Sequence, residues 1–194
     1  MRGADSVMAA AVRKLGSLDL LTEQTHVKMD LEALHRLMSA EGQAYEQAAA
    51  NQRAFALCGG HAVLVRLLRN EALSQSSNLE LVLKVLARQS TSSSTLEICK
   101  HSFYEAGPFP AVVSCLRENS ANTDAVKCHA ASIIAKGCRS CDAEMIGREL
   151  GATELLVELL HSMHKVVAIS VLYQYQNRKH HILMVPKTYS KHQE

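Results

Sequence analysis

The chain has 194 residues, of which 47% are hydrophobic and 21% are charged, and its formal net charge is +2 at pH 7. This composition is typical of a globular protein with a buried core and excludes an intrinsically disordered chain. The small net charge, the absence of Trp and the aromatic content of 4% disfavour a nucleic-acid interface, which relies on basic patches and stacking rings.

Residues 1–29 predict an N-terminal helical segment that we assign to a partial repeat. Its helix extends over 7–21, although Gly16 weakens this prediction. A stronger helix is predicted over 30–39, where Asp30 has a residue type preferred at the N-cap. These two helices would be the second and third helices of an incomplete unit.

A first full unit follows, with helices predicted over 48–57, 61–70 and 78–89. Gly59 separates the first two helices, and we expect it to end the first one in a left-handed conformation. The third helix is preceded by a capping box, in which a serine and a glutamate three residues later satisfy backbone amides. This order of three helices defines the unit.

The second unit repeats this order, with its first and third helices predicted over 95–106 and 123–136. Its first helix ends at Gly107. Pro108 and Pro110 mark the start of the helix between them, because proline is tolerated in the first helical turn.

The third unit is incomplete. Helices are predicted over 142–150 and 152–162, but no apolar helical stripe follows where the third helix should lie. We therefore expect residues 163–194 to form a divergent and poorly ordered tail. The abrupt loss of the pattern after Ser162 also suits an alternative C-terminus of the kind that a splice variant would leave.

The recurrence of these units is the strongest pattern in the sequence. Gly107 follows Gly59 by 48 positions and Gly151 follows Gly107 by 44, and each glycine precedes an apolar helix. Leu86 and Ile134 lie 27 positions after the first and second of these glycines. A helical period of about 40–47 residues is typical of an α-solenoid, whose stacked units form a long concave surface.

Residues 30–162 resemble armadillo repeats in the glycine-ended first helix, the Leu/Val-rich second helix and the Ala/Leu/Ile-rich third helix. HEAT repeats are the nearest alternative. The resemblance implies an all-α, right-handed solenoid of about three repeats, the last one incomplete. It also implies a scaffold or adaptor that is not an enzyme, needs no cofactor and binds an extended peptide in a concave groove lined by third helices.

The chain departs from importin-α-like armadillo proteins, whose third helices bind basic peptides with a ladder of Trp and Asn. Arg88 and Lys136 stand where the ladder Asn would fall, and Trp is absent. Because these cations would repel a basic peptide, we predict an acidic or neutral protein segment as the ligand. Lys84, Arg88 and Lys136, with Lys127 as a further candidate, would form a cationic strip. An ordinary solvated face is the alternative interpretation.

One Cys/His pattern has the donor types of a zinc site. Cys138 and Cys141 precede one helical hairpin, and His161 and His164 follow it. The histidine spacing is tighter than usual, and the two pairs would have to meet across the whole hairpin. We therefore predict no metal here and keep zinc binding as a less favoured alternative.

The remaining cysteines are predicted to be reduced. We expect Cys58, Cys99, Cys115 and Cys128 to act as small core or semi-core residues. Scattered thiols, the lack of an apolar signal-peptide core and the lack of a run of roughly 18 apolar residues predict a cytoplasmic or nuclear protein without a membrane anchor.

These observations predict a non-catalytic protein-interaction scaffold. A second hypothesis is compatible with the first: the chain would be a truncated or splice-variant-like fragment of a longer armadillo protein, with reduced binding.

Overall fold

A computed structural model describes residues 2–18, 24–39, 45–70, 73, 78–90, 97–117, 122–137 and 145–161. Within these ranges every regular element is helical, which confirms the predicted all-α class there. The α-helices are α1 (Arg2–Ser17), α2 (Gln24–Met38), α3 (Tyr45–Leu57), α4 (Gly60–Leu68), α5 (Asn78–Ser90), α6 (Glu97–Glu105), α7 (Phe109–Ser114), α8 (Asp124–Gly137) and α9 (Ala152–His161). A π-helical turn, Met145–Glu149, precedes α9.

The N-terminal part of α2 differs from the prediction. The helix begins at Gln24, so Asp30 lies in its interior and is not its N-cap, and the predicted domain boundary at 29/30 falls inside the helix. Val27 is fully buried four residues before the buried Leu31. The apolar stripe therefore continues upstream and holds the extra turns in helical form. Asp30 instead accepts a 2.8 Å hydrogen bond from Lys14 Nζ.

The segment 142–150 was predicted as an ordinary α-helix, but its described part is the π-helical turn Met145–Glu149. Ile146 is fully buried and anchors this turn in the core. The backbone at Gly147 approaches α9 so closely that an added Cβ would lie 3.0 Å from Thr153 Oγ1. The wider turn accommodates both the buried side chain and this close approach.

The three glycines of the repeated motif share one conformation. Gly59, Gly107 and Gly151 have φ angles of 75°, 60° and 68°, and no other described residue has a positive φ. Each donates its N–H to the carbonyl three residues earlier, over 3.1, 3.0 and 3.3 Å respectively. Residues with a Cβ disfavour this region, so glycine is the expected residue wherever two helices are joined by such a tight turn. The predicted role of Gly59 as a helix terminator is confirmed.

The helices pack in a regular order. α5 packs against both α2 and α8, and these three helices are called the α2–α5–α8 layer. α3 packs against α6, and α4 packs against α7. α1 contacts α2, α3 and α4. Helices that the sequence assigns to equivalent places in the first and second predicted units are therefore neighbours.

A continuous hydrophobic core runs from α1 to α9. Leu68 and Leu116, each nine residues after a motif glycine, are both buried. The side chain of Leu160, the third equivalent leucine, lies outside the described residues, as does Ser77, the serine of the capping box predicted before the third helix of the first unit. At the start of α8, Thr123 Oγ1 accepts a 3.3 Å hydrogen bond from the Val126 N–H and caps the helix.

Candidate protein-interaction surfaces

The α2–α5–α8 layer exposes a narrow polar stripe on α5. Glu80 and Lys84 are exposed and Arg88 is half-buried, at a spacing of four residues that places them on one helix face. Much of the rest of the helix is committed to the core through Leu79, Val82, Leu83, Val85 and Leu86. The stripe therefore carries both signs of charge. Glu80 lies four residues before Lys84 in the sequence, but the prediction of a cationic strip did not take this acidic residue into account.

Arg88 has a structural partner. Its Nη2 donates a 2.9 Å hydrogen bond to Ser39 Oγ, and Ser39 is 1% exposed at the end of α2. The same helix end receives two further side chains: Asn51 Nδ2 donates to the Leu37 carbonyl and Gln52 Nε2 to the Met38 carbonyl. These groups satisfy polar atoms that a helix C-terminus leaves without intrahelical partners.

Arg88 therefore links α5 to the end of α2 through this hydrogen bond, and its role in binding stays a prediction. The further candidate, Lys127, is 8% exposed on α8, so it does not belong to an exposed strip. Lys136 also lies on α8, with its side chain outside the described set. The structure thus places Lys84, Arg88 and Lys136 on neighbouring helices and shows only the first as an exposed cation.

A second surface lies away from these cations, between the end of α3, the start of α4, and α6. This α3–α6 groove is open to solvent and has a volume of about 760 Å³. It is lined by Ala56, Leu57, Gly59, Ala62, Glu97, Ile98, His101, Ser102, Glu105 and Ala106. Sequence reasoning missed it, because its two walls are about forty residues apart in the chain.

Carboxylates and exposed apolar side chains share the α3–α6 groove. Leu57 is 64% exposed and Ile98 is 36% exposed. Glu97 and Glu105 stand on the α6 wall, and each has a local partner: Lys100 Nζ lies 3.1 Å from Glu97, and His101 Nε2 lies 3.1 Å from Glu105. Such exposed pairs contribute little stability, typically about 0–1 kcal/mol.

A buried histidine lies directly behind the wall of this groove. His61 is fully buried, with its ring edge-on to Phe55 at 5.3 Å and to Phe103 at 5.7 Å. Ser102 Oγ donates to the Ala56 carbonyl at 3.2 Å, so it accepts the hydrogen bond from His61 Nδ1 at 2.9 Å. His61 Nε2 is buried without a hydrogen-bond partner among the described residues.

This environment keeps His61 neutral. Burial lowers the pKa of His61 from its usual 6.5 to about 4, because the imidazolium would lose its hydration without gaining a counter-charge. The neutral tautomer with a proton on Nδ1 matches the hydrogen bond to Ser102.

Three of the four described thiols have raised pKa values. Cys99 and Cys115 are buried, and Cys58 and Cys128 are half-buried, as predicted. Burial raises the pKa of Cys115 to about 11 and also raises the pKa values of Cys99 and Cys128. Because the thiolate is the reactive form, these groups are poor nucleophiles at neutral pH.

The predicted Cys/His pattern lies largely outside the described residues. Cys138, Cys141 and His164 are not described, and His161 ends α9 with an undescribed side chain. Among the side chains that the structure does describe, no group of three or more His, Cys, Asp or Glu could hold a metal ion.

No model of a known protein family matches the chain, and no curated protein shows significant similarity to it. The armadillo resemblance therefore stays a prediction based on the sequence pattern. In the part of the chain that the structure describes, no helix has both the length and the apolar character needed to cross a bilayer.

Proposed function

We propose that this protein is a non-catalytic interaction scaffold of the armadillo-like α-solenoid type, which binds an extended acidic or neutral segment of a partner protein. The observation that carries the proposal is the α2–α5–α8 layer, in which α5 packs against both α2 and α8. Third helices arranged in this way would offer a continuous surface to an extended peptide.

Two regularities support the solenoid architecture. The motif glycines have the same left-handed conformation at three successive helix junctions. In addition, four of the packing pairs described above (α3 with α6, α4 with α7, and α5 with both α2 and α8) join helices that the sequence assigns to equivalent positions in successive units. Contact between equivalent neighbours is the packing rule of repeat proteins.

Lys84 is the best-supported recognition residue on this surface. It is exposed at the middle of α5 and makes no ion pair among the described side chains. A partner carboxylate could therefore pair with it without displacing an existing ion pair. Arg88 and Lys136 would add longer-range attraction from the same layer, with Arg88 keeping its hydrogen bond to Ser39.

The test compares two charge reversals, Lys84→Glu in the layer and Arg13→Glu on α1, where Arg13 is also exposed. The probe is a fluorescent peptide of Glu, Asp and Ser residues. A Lys-rich peptide of equal length is the control with the opposite charge. We expect the acidic peptide to bind, Lys84→Glu to weaken binding about fivefold to tenfold, and Arg13→Glu to have little effect. Binding should also weaken as salt rises, because ions screen the exposed charge.

Fluorescence anisotropy measures the dissociation constants, and circular dichroism checks that both variants remain helical. If the acidic peptide does not bind, or if Lys84→Glu binds it as well as the unmodified protein does, the proposed ligand and binding face are wrong. Arg88 is less suitable for this test, since changing it would also remove a contact to the end of α2.

A further inference from the structure

Five of the ten residues that line the α3–α6 groove are small. Ala56, Gly59 and Ala62 line one side, while Ser102 and Ala106 belong to the opposite side. Small side chains let a second helix approach closely, and packed helices have axes about 8–10 Å apart. The volume of about 760 Å³ is large enough for several side chains of such a helix. Small residues alone would not define a site, but two further features of the groove point to one class of ligand.

The first feature is exposed apolar surface at the groove. Leu57 leaves 64% of its surface in solvent, although it is the last residue of α3 in a chain whose other described leucines are buried or half-buried. Ile98, on the facing helix, is 36% exposed. Covering both side chains removes apolar area from water, which favours association with an apolar helix face.

The second feature is the sign and spacing of the charges. Glu97 and Glu105 line the α6 wall eight residues apart, which corresponds to about 12 Å along a helix axis. Their side chains are 82% and 66% exposed. The lining contains no Lys or Arg among the described residues. The present partners, Lys100 and His101, make exposed pairs that a better-placed cation could replace at small cost.

From this combination we infer that the α3–α6 groove docks a cationic amphipathic helix from a partner protein. Its apolar face would cover Leu57 and Ile98, and basic residues about two turns apart would reach Glu97 and Glu105. Anchors at intervals of three, four and seven residues are the usual pattern of helix-in-groove recognition. This inference is independent of the proposed function: it concerns other helices, an opposite ligand charge and a helical ligand.

The experiment uses the full chain and a synthetic helical peptide about five turns long, with leucines on one face and lysines about two turns apart beside it. One control peptide has the same composition in scrambled order, and another carries glutamate in place of each lysine. Two altered proteins test the groove: the charge reversal Glu97→Lys with Glu105→Lys, and the polar substitution Leu57→Gln.

Each altered protein has a matched control outside the groove. Glu154→Lys with Glu158→Lys makes the same charge change at exposed positions of α9, and Met29→Gln removes an apolar side chain that is 59% exposed on α2. Because all these positions are exposed, the substitutions should leave the helical content unchanged, which circular dichroism checks.

We expect saturable binding of the cationic amphipathic peptide, measured by anisotropy, and much weaker binding of both control peptides. The reversal of Glu97 and Glu105 should weaken binding by about tenfold or more, and Leu57→Gln by about threefold to tenfold. The α9 and Met29 controls should bind as the unmodified protein does. The inference is overturned if the cationic peptide does not bind, if the scrambled peptide binds equally, or if the groove variants behave like their controls. Loss of binding in Lys84→Glu would likewise place the peptide elsewhere.

Discussion

The two predicted units that contain Gly59 and Gly107 both place a left-handed glycine just before a helix. One of the buried positions at which they differ lies two residues beyond the glycine. In the first unit this position is His61, and in the second it is Phe109. Both are almost completely buried, and both pack edge-on against Phe103, at 5.7 and 5.8 Å. The phenyl ring is insensitive to pH, whereas the imidazole must remain unprotonated. Equivalent positions can therefore support the same packing with different dependence on solution conditions.

The largest expected effect comes from the buried leucines that both units share. Leu116→Ala should reduce the free energy of unfolding by roughly 2–5 kcal/mol, because it removes buried methyl groups and leaves a cavity. Leu68→Ala should act in the same way, since Leu68 is 6% exposed and Leu116 is 2% exposed. Chemical denaturation monitored by circular dichroism measures the change.

Leu57→Ala is the control for this prediction, since Leu57 is mostly exposed. Its effect should be within about 0.5 kcal/mol, as is usual for surface positions. A loss of stability at Leu116 no larger than that at Leu57 would contradict the assignment of Leu68 and Leu116 to equivalent core positions.

The second prediction concerns pH and separates the two units. In the unfolded chain His61 binds a proton as the pH falls through about 6.5, whereas in the folded protein its pKa is about 4. The contribution of His61 to the free energy of unfolding is therefore complete above pH 6.5 and is lost progressively as the pH falls toward 4. This difference between the folded and unfolded pKa values corresponds to a loss of roughly 3 kcal/mol in the free energy of unfolding at about pH 4.

His61→Phe places the residue type of the second unit in the first and should remove this part of the pH dependence. The free energy of unfolding is measured for the unmodified protein and for His61→Phe between pH 7 and pH 4. The slopes of free energy against pH are compared, because the carboxylates contribute equally to both slopes. Parallel curves would show that His61 is not kept neutral by the fold.

The smallest expected effect concerns the glycine pair at the first junction. A Cβ added at Gly60 would lie 2.4 Å from the ring of Phe55, whereas one added at Gly59 would meet no atom within 4 Å. Gly60→Ala should therefore cost roughly 1–3 kcal/mol through overpacking. Gly59→Ala should cost about 1–2 kcal/mol through its positive φ alone.

The two mechanisms differ in their response to a second substitution. Phe55→Leu should relieve part of the cost of Gly60→Ala but none of the cost of Gly59→Ala, and a double-mutant cycle of unfolding free energies measures the coupling. Additive effects at Gly60 and Phe55 would mean that the ring moves aside without strain.

The candidate sites were less predictable than the helices. Helical periodicity correctly marked Lys84 as a surface residue, because that property depends on the pattern of its own helix. The same pattern could not show that Arg88 reaches Ser39 on α2, or that Lys127 is largely buried on α8. Burial of a polar side chain depends on the neighbouring helix, which periodicity does not identify.

Local chemistry in the sequence determined the helix positions and the left-handed turns, since apolar period, proline placement and glycine act over a few residues. The early start of α2 already needed tertiary information, because it depends on the burial of Val27. Only the packed structure joined His61 to Ser102 across 41 positions and Arg88 to Ser39 across 49, and only it assembled the α3–α6 groove from two distant segments. These features depend on which helix faces meet, and that is decided by burial of the whole core at once.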